Sequence, residues 1–154
     1  MRRPMPRKDL LPPEISSGYL VRDAHRAFQY ELERRIARFG VSKGQWYFLR
    51  VLWIEDGLSQ RELSERVGMM EPTTVIALRG MEKAGLIERS RSREDRRKAH
   101  VWLTPKAKRL RAKLLPVARG IVEDAERGVP EVDIRVFRRV IARLRKNLDR
   151  LRER

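Results

Sequence analysis

Between Leu58 and Thr104 the chain is punctuated at intervals that admit few folds. Ser59 and Glu62 stand three residues apart at the head of a short amphipathic run. That is the spacing of a capping box, in which a hydroxyl and a carboxylate each accept an N–H left unpaired in a helix's first turn. Leu63 and Val67 form the apolar side of this predicted helix, and Gly68 ends it. Pro72 then suits a first helical position, because its fixed φ and missing N–H carry no penalty there. A second helix is predicted from Pro72 through Glu82 to Gly85, with Val75, Leu78 and Met81 facing the core. Two helices joined by a tight glycine-containing turn form a helix-turn-helix. Two extended runs follow at once, Leu86 to Arg89 and Ala99 to Leu103. In the second, Ala99, Val101 and Leu103 alternate onto one face, as in a half-buried strand. The polar, basic stretch 91–98 between them completes a two-stranded wing.

The flanks are helical. Residues 1–13 hold four of the eight prolines and are expected to form a mobile basic arm. Ser16 or Ser17 caps a helix running to about Arg38, with Leu20, Ala24, Ala27, Phe28, Leu32 and Ile36 on one face and Gly40 at its end. Ser42, with Gln45 as capping-box partner, starts a heavily apolar helix (Trp46, Leu49, Val51, Leu52, Trp53) that Gly57 is expected to close. Thr104 and Pro105 open a long helix with Ala107, Leu110, Leu114, Leu115, Ala118, Ile121, Val122 and Ala125 on its buried side. Gly128 and Pro130 end it. The last helix spans about Glu131 to Arg152, with Phe137, Val140, Ile141, Leu144, Leu148 and Leu151 at three- and four-residue steps. The expected fold is mainly α with a small antiparallel β wing: a winged helix-turn-helix over 41–103, flanked by helical regions 14–40 and 104–154. The head is too small to cover the stripes of both terminal helices, so a second copy is expected to bury them, giving a homodimer.

Charge narrows the partner. The 154 residues include 37 Lys and Arg against 21 Asp and Glu, a formal +16. Such an excess favours a polyanion, with nucleic acid ahead of an anionic membrane surface. Nine of the excess charges fall in 104–154 and three in 86–103, while 41–85 is neutral. The absence of cysteine excludes disulfides, thiolate metal sites and thiol-based oxidant sensing. The longest mostly apolar stretch, Trp46 to Ile54, contains Arg50 and is too short to span a bilayer. The basic start is followed by Asp9, Pro12, Pro13 and Glu14 where a signal peptide would be apolar, so a cytoplasmic protein with no membrane partner is expected.

The order of these motifs is similar to one known family. Leu58-Ser59-Gln60-Arg61-Glu62-Leu63, Pro72-Thr73-Thr74, Met81-Glu82-Lys83-Ala84-Gly85-Leu86-Ile87-Glu88-Arg89, Asp95-Arg96-Arg97 and Val101-Trp102-Leu103-Thr104 resemble the MarR family of bacterial winged-helix regulators. Met81 replaces a usual leucine, Pro105-Lys106-Ala107 stand where a glycine is common, and Glu71 places an unusual carboxylate before the second helix. The resemblance implies a homodimeric, sequence-specific regulator of transcription, a repressor or less often an activator, bound to a pseudo-palindromic double-stranded DNA operator. It also implies release by a small molecule, commonly an aromatic acid or a derivative. On this basis the helix from Pro72 enters the major groove N-terminus first. Thr73 and Thr74 offer hydroxyls and methyls to bases or phosphates, Ala77 permits close approach, and Arg79 reaches guanine or phosphate. In the wing, Arg97 takes the family's minor-groove position beside Arg96, and Asp95 orients an arginine. Arg91, Arg93 and Lys98 complete the basic loop, and Lys43, Gln60 and Arg61 are phosphate contacts.

For the effector, the family's usual pocket position draws attention to Tyr19, Arg22, His25, Arg26 and Phe28 of the first helix, with Trp46, Trp53 and Met69. Guanidinium and imidazole beside aromatic rings suit an aromatic carboxylate or its thioester. Ordinary core packing is the plain alternative for each aromatic. No cofactor or metal is expected. His25 and His100 have no sequence neighbours that complete a catalytic triad or metal set, and no glycine-rich phosphate loop exists, so an enzyme is not expected. Two other functions fit the same residues: an architectural DNA-coating protein without sequence preference, and a constitutive regulator without an effector.

Overall fold

The computed structural model describes residues 12–91 and 99–153. They form six helices and three strands in the order α1 (Ser17–Ile36), α2 (Lys43–Leu52), β1 (Leu58–Ser59), α3 (Gln60–Val67), α4 (Glu71–Lys83), β2 (Ile87–Arg91), β3 (Ala99–Leu103), α5 (Pro105–Glu126) and α6 (Glu131–Arg152). Short 3-10 turns precede and follow α1 at Pro13–Ile15 and Ala37–Phe39.

The predicted caps are where the spacing put them. Ser16 Oγ accepts the Tyr19 N–H at the start of α1. Ser42 with Gln45 and Ser59 with Glu62 form reciprocal capping boxes on α2 and α3. Thr104 Oγ1 accepts the Ala107 N–H and donates to the Gly85 carbonyl at 2.7 Å, so one hydroxyl starts α5 and anchors it to the turn after α4. α4 begins at Glu71, one residue earlier than predicted, and carries Pro72 in its first turn.

Two predictions need correction. α2 stops at Leu52, well short of Gly57; the residues between form a turn closed by Ile54 and Glu55 N–H groups donating to the Val51 carbonyl. The sheet has three strands, not two, in the order β1-β3-β2, all antiparallel. Leu58 pairs with Val101 and Ser59 with His100. A two-residue strand is too short to show alternation, so only its partner reveals it.

The chain divides into two compact units, one running to Ala118 and one beginning at Arg119. In the first, Ile36, Trp46, Phe48, Leu49, Leu52, Leu63, Leu78, Met81, Leu86, Ile87, Val101 and Leu114 are buried and make one core. Trp46 and Trp53 meet edge to face at 5.8 Å, the arrangement aromatic quadrupoles favour, and Trp53 Nε1 donates to the Ala107 carbonyl at 3.0 Å. Pro116 lies inside α5 and withdraws one helical donor there. In the second unit, Gly128 (φ +79°) and Pro130 turn the chain from α5 into α6. Arg138 Nη2 donates to both carboxylate oxygens of Glu126, at 2.9 and 3.2 Å. Ile121 and Ile134 are its buried apolar residues, whereas Phe137 (59%), Val140, Leu144 and Leu148 (61%) stay exposed in the single chain.

Candidate nucleic-acid interface

Helical spacing divides α4 into two faces. Thr74, Leu78 and Met81 recur at four and three residues and are fully buried. Thr73, Ile76, Arg79 and Gly80 are exposed and Ala77 is half-buried, so these five define the outward face. Thr74, expected to contact DNA, is therefore a correction: its side chain packs in the core and its Oγ1 is sealed from solvent. Thr73, one residue earlier, is turned outward. Arg79 makes no ion pair or hydrogen bond among the described residues, which leaves its guanidinium available. Ile76, absent from the expected set, is 71% exposed at the centre of this face.

The turn that presents α4 is held by Ser64, which sequence reasoning passed over. Ser64 is 3% exposed; its Oγ donates to the Met69 carbonyl at 2.5 Å, and its carbonyl accepts from Gly68 and Met69 N–H groups. Gly68 takes φ +74°, a conformation that suits glycine. The signal was a small polar residue at an inward position of α3.

Beside α4 lies the N-terminus of α2. Ser42, Gly44 and Gln45 face Thr73, Ile76, Ala77 and Gly80 across a recess of about 320 Å³. Of the expected phosphate contacts, Lys43 pairs with Glu33 at 3.1 Å, Arg61 pairs with Glu65 at 3.0 Å, and Gln60 is half-buried at the start of α3. Both cations are exposed enough to exchange a carboxylate for a phosphate. The Glu65 hydrogen bond raises the Arg61 pKa, keeping that guanidinium charged. Pro72 is exposed at the leading end of α4.

Arg91 closes β2 on the wing's rising edge. The Arg91 side chain and the expected contacts Arg93, Asp95, Arg96, Arg97 and Lys98 lie outside the described residues. The wing's base is tied to both neighbours. Asp56 Oδ1 accepts the Leu103 N–H at 2.8 Å and the Gly57 N–H at 3.1 Å, while Oδ2 lies 3.4 Å from Lys108 Nζ. Arg89 Nε on β2 lies 3.6 Å from Glu82 Oε2 in the last turn of α4. The Glu82 carboxylate compensates a guanidinium whose Nε and Nη2 are buried without hydrogen bonds.

The expected effector residues divide between the surface of α1 and the interior of the first unit. Tyr19, Arg22, His25, Arg26 and Phe28 lie on the exposed surface of α1, with the Arg22 guanidinium 6.0 Å from the Tyr19 ring. Trp46, 2% exposed, packs in the core, the plain alternative given for each aromatic. Met69 is half-buried in the α3–α4 turn. A recess of about 400 Å³ instead involves Leu52, Trp53, Ile54, Asp56, Lys108 and Arg111, taking only Trp53 from the expected set. Among the described residues no group of three or more His, Asp or Glu could hold a metal ion, and no helix is long and apolar enough to cross a membrane.

The MarR family model matches residues 41–99, the stretch from the start of α2 into β3. The transcriptional regulator PA3341 is 34% identical in its crystal structure, with a TM-score of 0.78 over 88% of this chain and 99% of that one. The chain belongs to the MarR family. A MarR transcriptional regulator from Methanosarcina mazei Go1 superposes with a TM-score of 0.79 at 26% identity, over 87% of this chain and 96% of that one. The HTH-type transcriptional regulator TtmR of Methylorubrum extorquens (strain PA1) is 31% identical over 96 residues, 62% of this chain and 49% of that protein. The chain thus spans about half the length of that curated relative. MarR-family proteins are transcriptional regulators, not enzymes, and the winged helix-turn-helix described above is the family's fold.

Proposed function

We propose that this protein is a homodimeric, DNA-binding transcriptional repressor that lays α4 in the major groove of a pseudo-palindromic operator. The observation that carries this reading is the outward face of α4, where Thr73 and Arg79 are exposed, Ala77 is half-buried between them, and Arg79 has no ion-pair partner among the described residues. Residues 41–103 are the reading head, and 14–40 with 104–154 form the dimer layer. The exposed apolar stripe of α6 supports that second part, since so much apolar surface is stable in water only when covered. Lys43, Gln60 and Arg61 flank the groove as phosphate contacts, and Arg91, Arg93, Arg96, Arg97 and Lys98 give the wing its charge, with Asp95 orienting one arginine. A small aromatic acid that releases DNA is the finest part of the proposal. It is supported by the exposed aromatic and basic side chains of α1.

The test is binding of the full chain to the tightest duplex selected from a random pool, against random duplex, at physiological salt. A repressor of this kind prefers the selected duplex by roughly a thousandfold or more, and Arg79→Ala or Thr73→Ala changes which bases matter. Equal affinity for both duplexes would replace this reading with that of an architectural DNA-coating protein.

A further inference from the structure

The outward face of α4 combines an exposed isoleucine with a recess against the start of α2. Ile76 keeps 71% of its surface exposed although α4 has a well-formed core side. Arg79 lies three residues on along the same face, and on the side toward α2 the neighbours are small or neutral. Ala77 and Gly80 lie one and four residues on, and Thr73, Gly44 and Gln45 complete the recess between α4 and the start of α2. In a protein with 37 Lys and Arg, none of the described residues lining this recess is charged. Ser42, Gln45 and Thr73 can hydrogen-bond phosphate, but the Ile76 side chain can gain only from an apolar edge. The thymine 5-methyl is the one apolar group that projects into the major groove; the N and O groups there are hydrogen-bond donors and acceptors that an isoleucine would strip of water.

We propose that Ile76 reads thymine through its 5-methyl group, with Ala77 and Gly80 letting the base edge come within contact distance. This rests on the proposed docking of α4 in the major groove. It makes Ile76 a specificity residue: the base pair facing it in each half-site is T·A, and a polar edge at that position is rejected because its donor or acceptor loses water without gaining a partner.

Replacing thymine by deoxyuridine removes only the methyl and leaves base pairing intact. The experiment measures affinity of the full chain for its selected duplex with thymines changed to deoxyuridine one at a time, using wild type, Ile76→Val and Ile76→Ala. Ile76 is exposed, so neither variant disturbs the core. Wild type is expected to lose about three- to tenfold at one thymine per half-site, Ile76→Val less, and Ile76→Ala nothing. Absence of any thymine preference in wild type overturns the proposal, with sequence-specific binding left intact. An undiminished preference in Ile76→Ala overturns it too and assigns the methyl to another side chain, Thr73 first. Failure to prefer the selected duplex over random DNA overturns it together with the docking of α4, and is distinguished because it is seen before any base is changed.

Discussion

The indole of Trp102 lies directly on Gly57: a Cβ at position 57 would sit 2.3 Å from the ring. Gly57 has φ +76°, and its N–H donates to the Val101 carbonyl at 3.0 Å, so the turn after α2 is pressed against β3. Trp102 Nε1 donates to Ser90 Oγ at 2.9 Å, which fixes the ring across the wing's outer face. Gly57→Ala therefore meets two penalties, backbone strain and a collision that displaces the indole. We expect a loss of about 2–3 kcal/mol in denaturant unfolding. With Trp102→Ala already in place, the collision vanishes and the same substitution should cost only the backbone part. Equal costs in both backgrounds would show that the ring contributes nothing.

Asp56 is the second fastener. One oxygen accepts two backbone N–H groups and the other faces Lys108, with the side chain only 23% exposed. Asp56→Ala leaves the Leu103 N–H without its partner at the junction of wing and α5. A loss of about 2–3 kcal/mol is expected, with amide exchange at Leu103 accelerated more than at Leu78 in the core of α4. Uniform acceleration at both would show global destabilisation in place of a local fastening.

The cap of α3 titrates. The Ser59 hydroxyl and then the Ser59 N–H, at 2.6 and 2.8 Å, donate to Glu62 and hold its carboxyl below the ordinary glutamate range. Its folded-state pKa is thus below its unfolded one, so its contribution to stability is complete above pH of about 4.3 and disappears as pH falls through the folded value. The difference in melting temperature between wild type and Glu62→Gln should be constant from neutrality to about pH 5 and shrink below pH 4. A difference that grows on acidification would give the shift the opposite sign.

Leu144 and Leu148 test the dimer layer. Both are exposed in the single chain, at 37% and 61%, on the stripe that continues from Phe137 and Val140. Carboxylates there cannot be buried against a second copy without a large desolvation penalty. Leu144→Asp with Leu148→Asp should halve the mass seen by light scattering at micromolar concentration and weaken operator binding, with the fold of residues 41–103 retained by circular dichroism. A wild-type chain of monomer mass would remove the dimer from the proposal.

Capping boxes at Ser42 and Ser59, the glycine stops at Gly40, Gly68 and Gly85, the proline in the first turn of α4 and the bounds of α6 were all legible in the sequence, because each interaction spans at most four residues. Family membership was legible for the same reason: its motifs are these local signals in order. Facing was not. One step along a helix turns a side chain by about 100°, so neighbours as alike as Thr73 and Thr74 separate completely, one to the surface and one to the core. Only packing against α2, α3 and the sheet decides which is which, and the same packing leaves Ile76 outside. Contacts distant along the chain also belonged to the tertiary structure: Trp53 on the Ala107 carbonyl, Asp56 on Leu103, and β1 on β3. No periodicity announces a partner 47 or 54 residues away; such pairs exist because the folded core brings two polar groups together with no water between them.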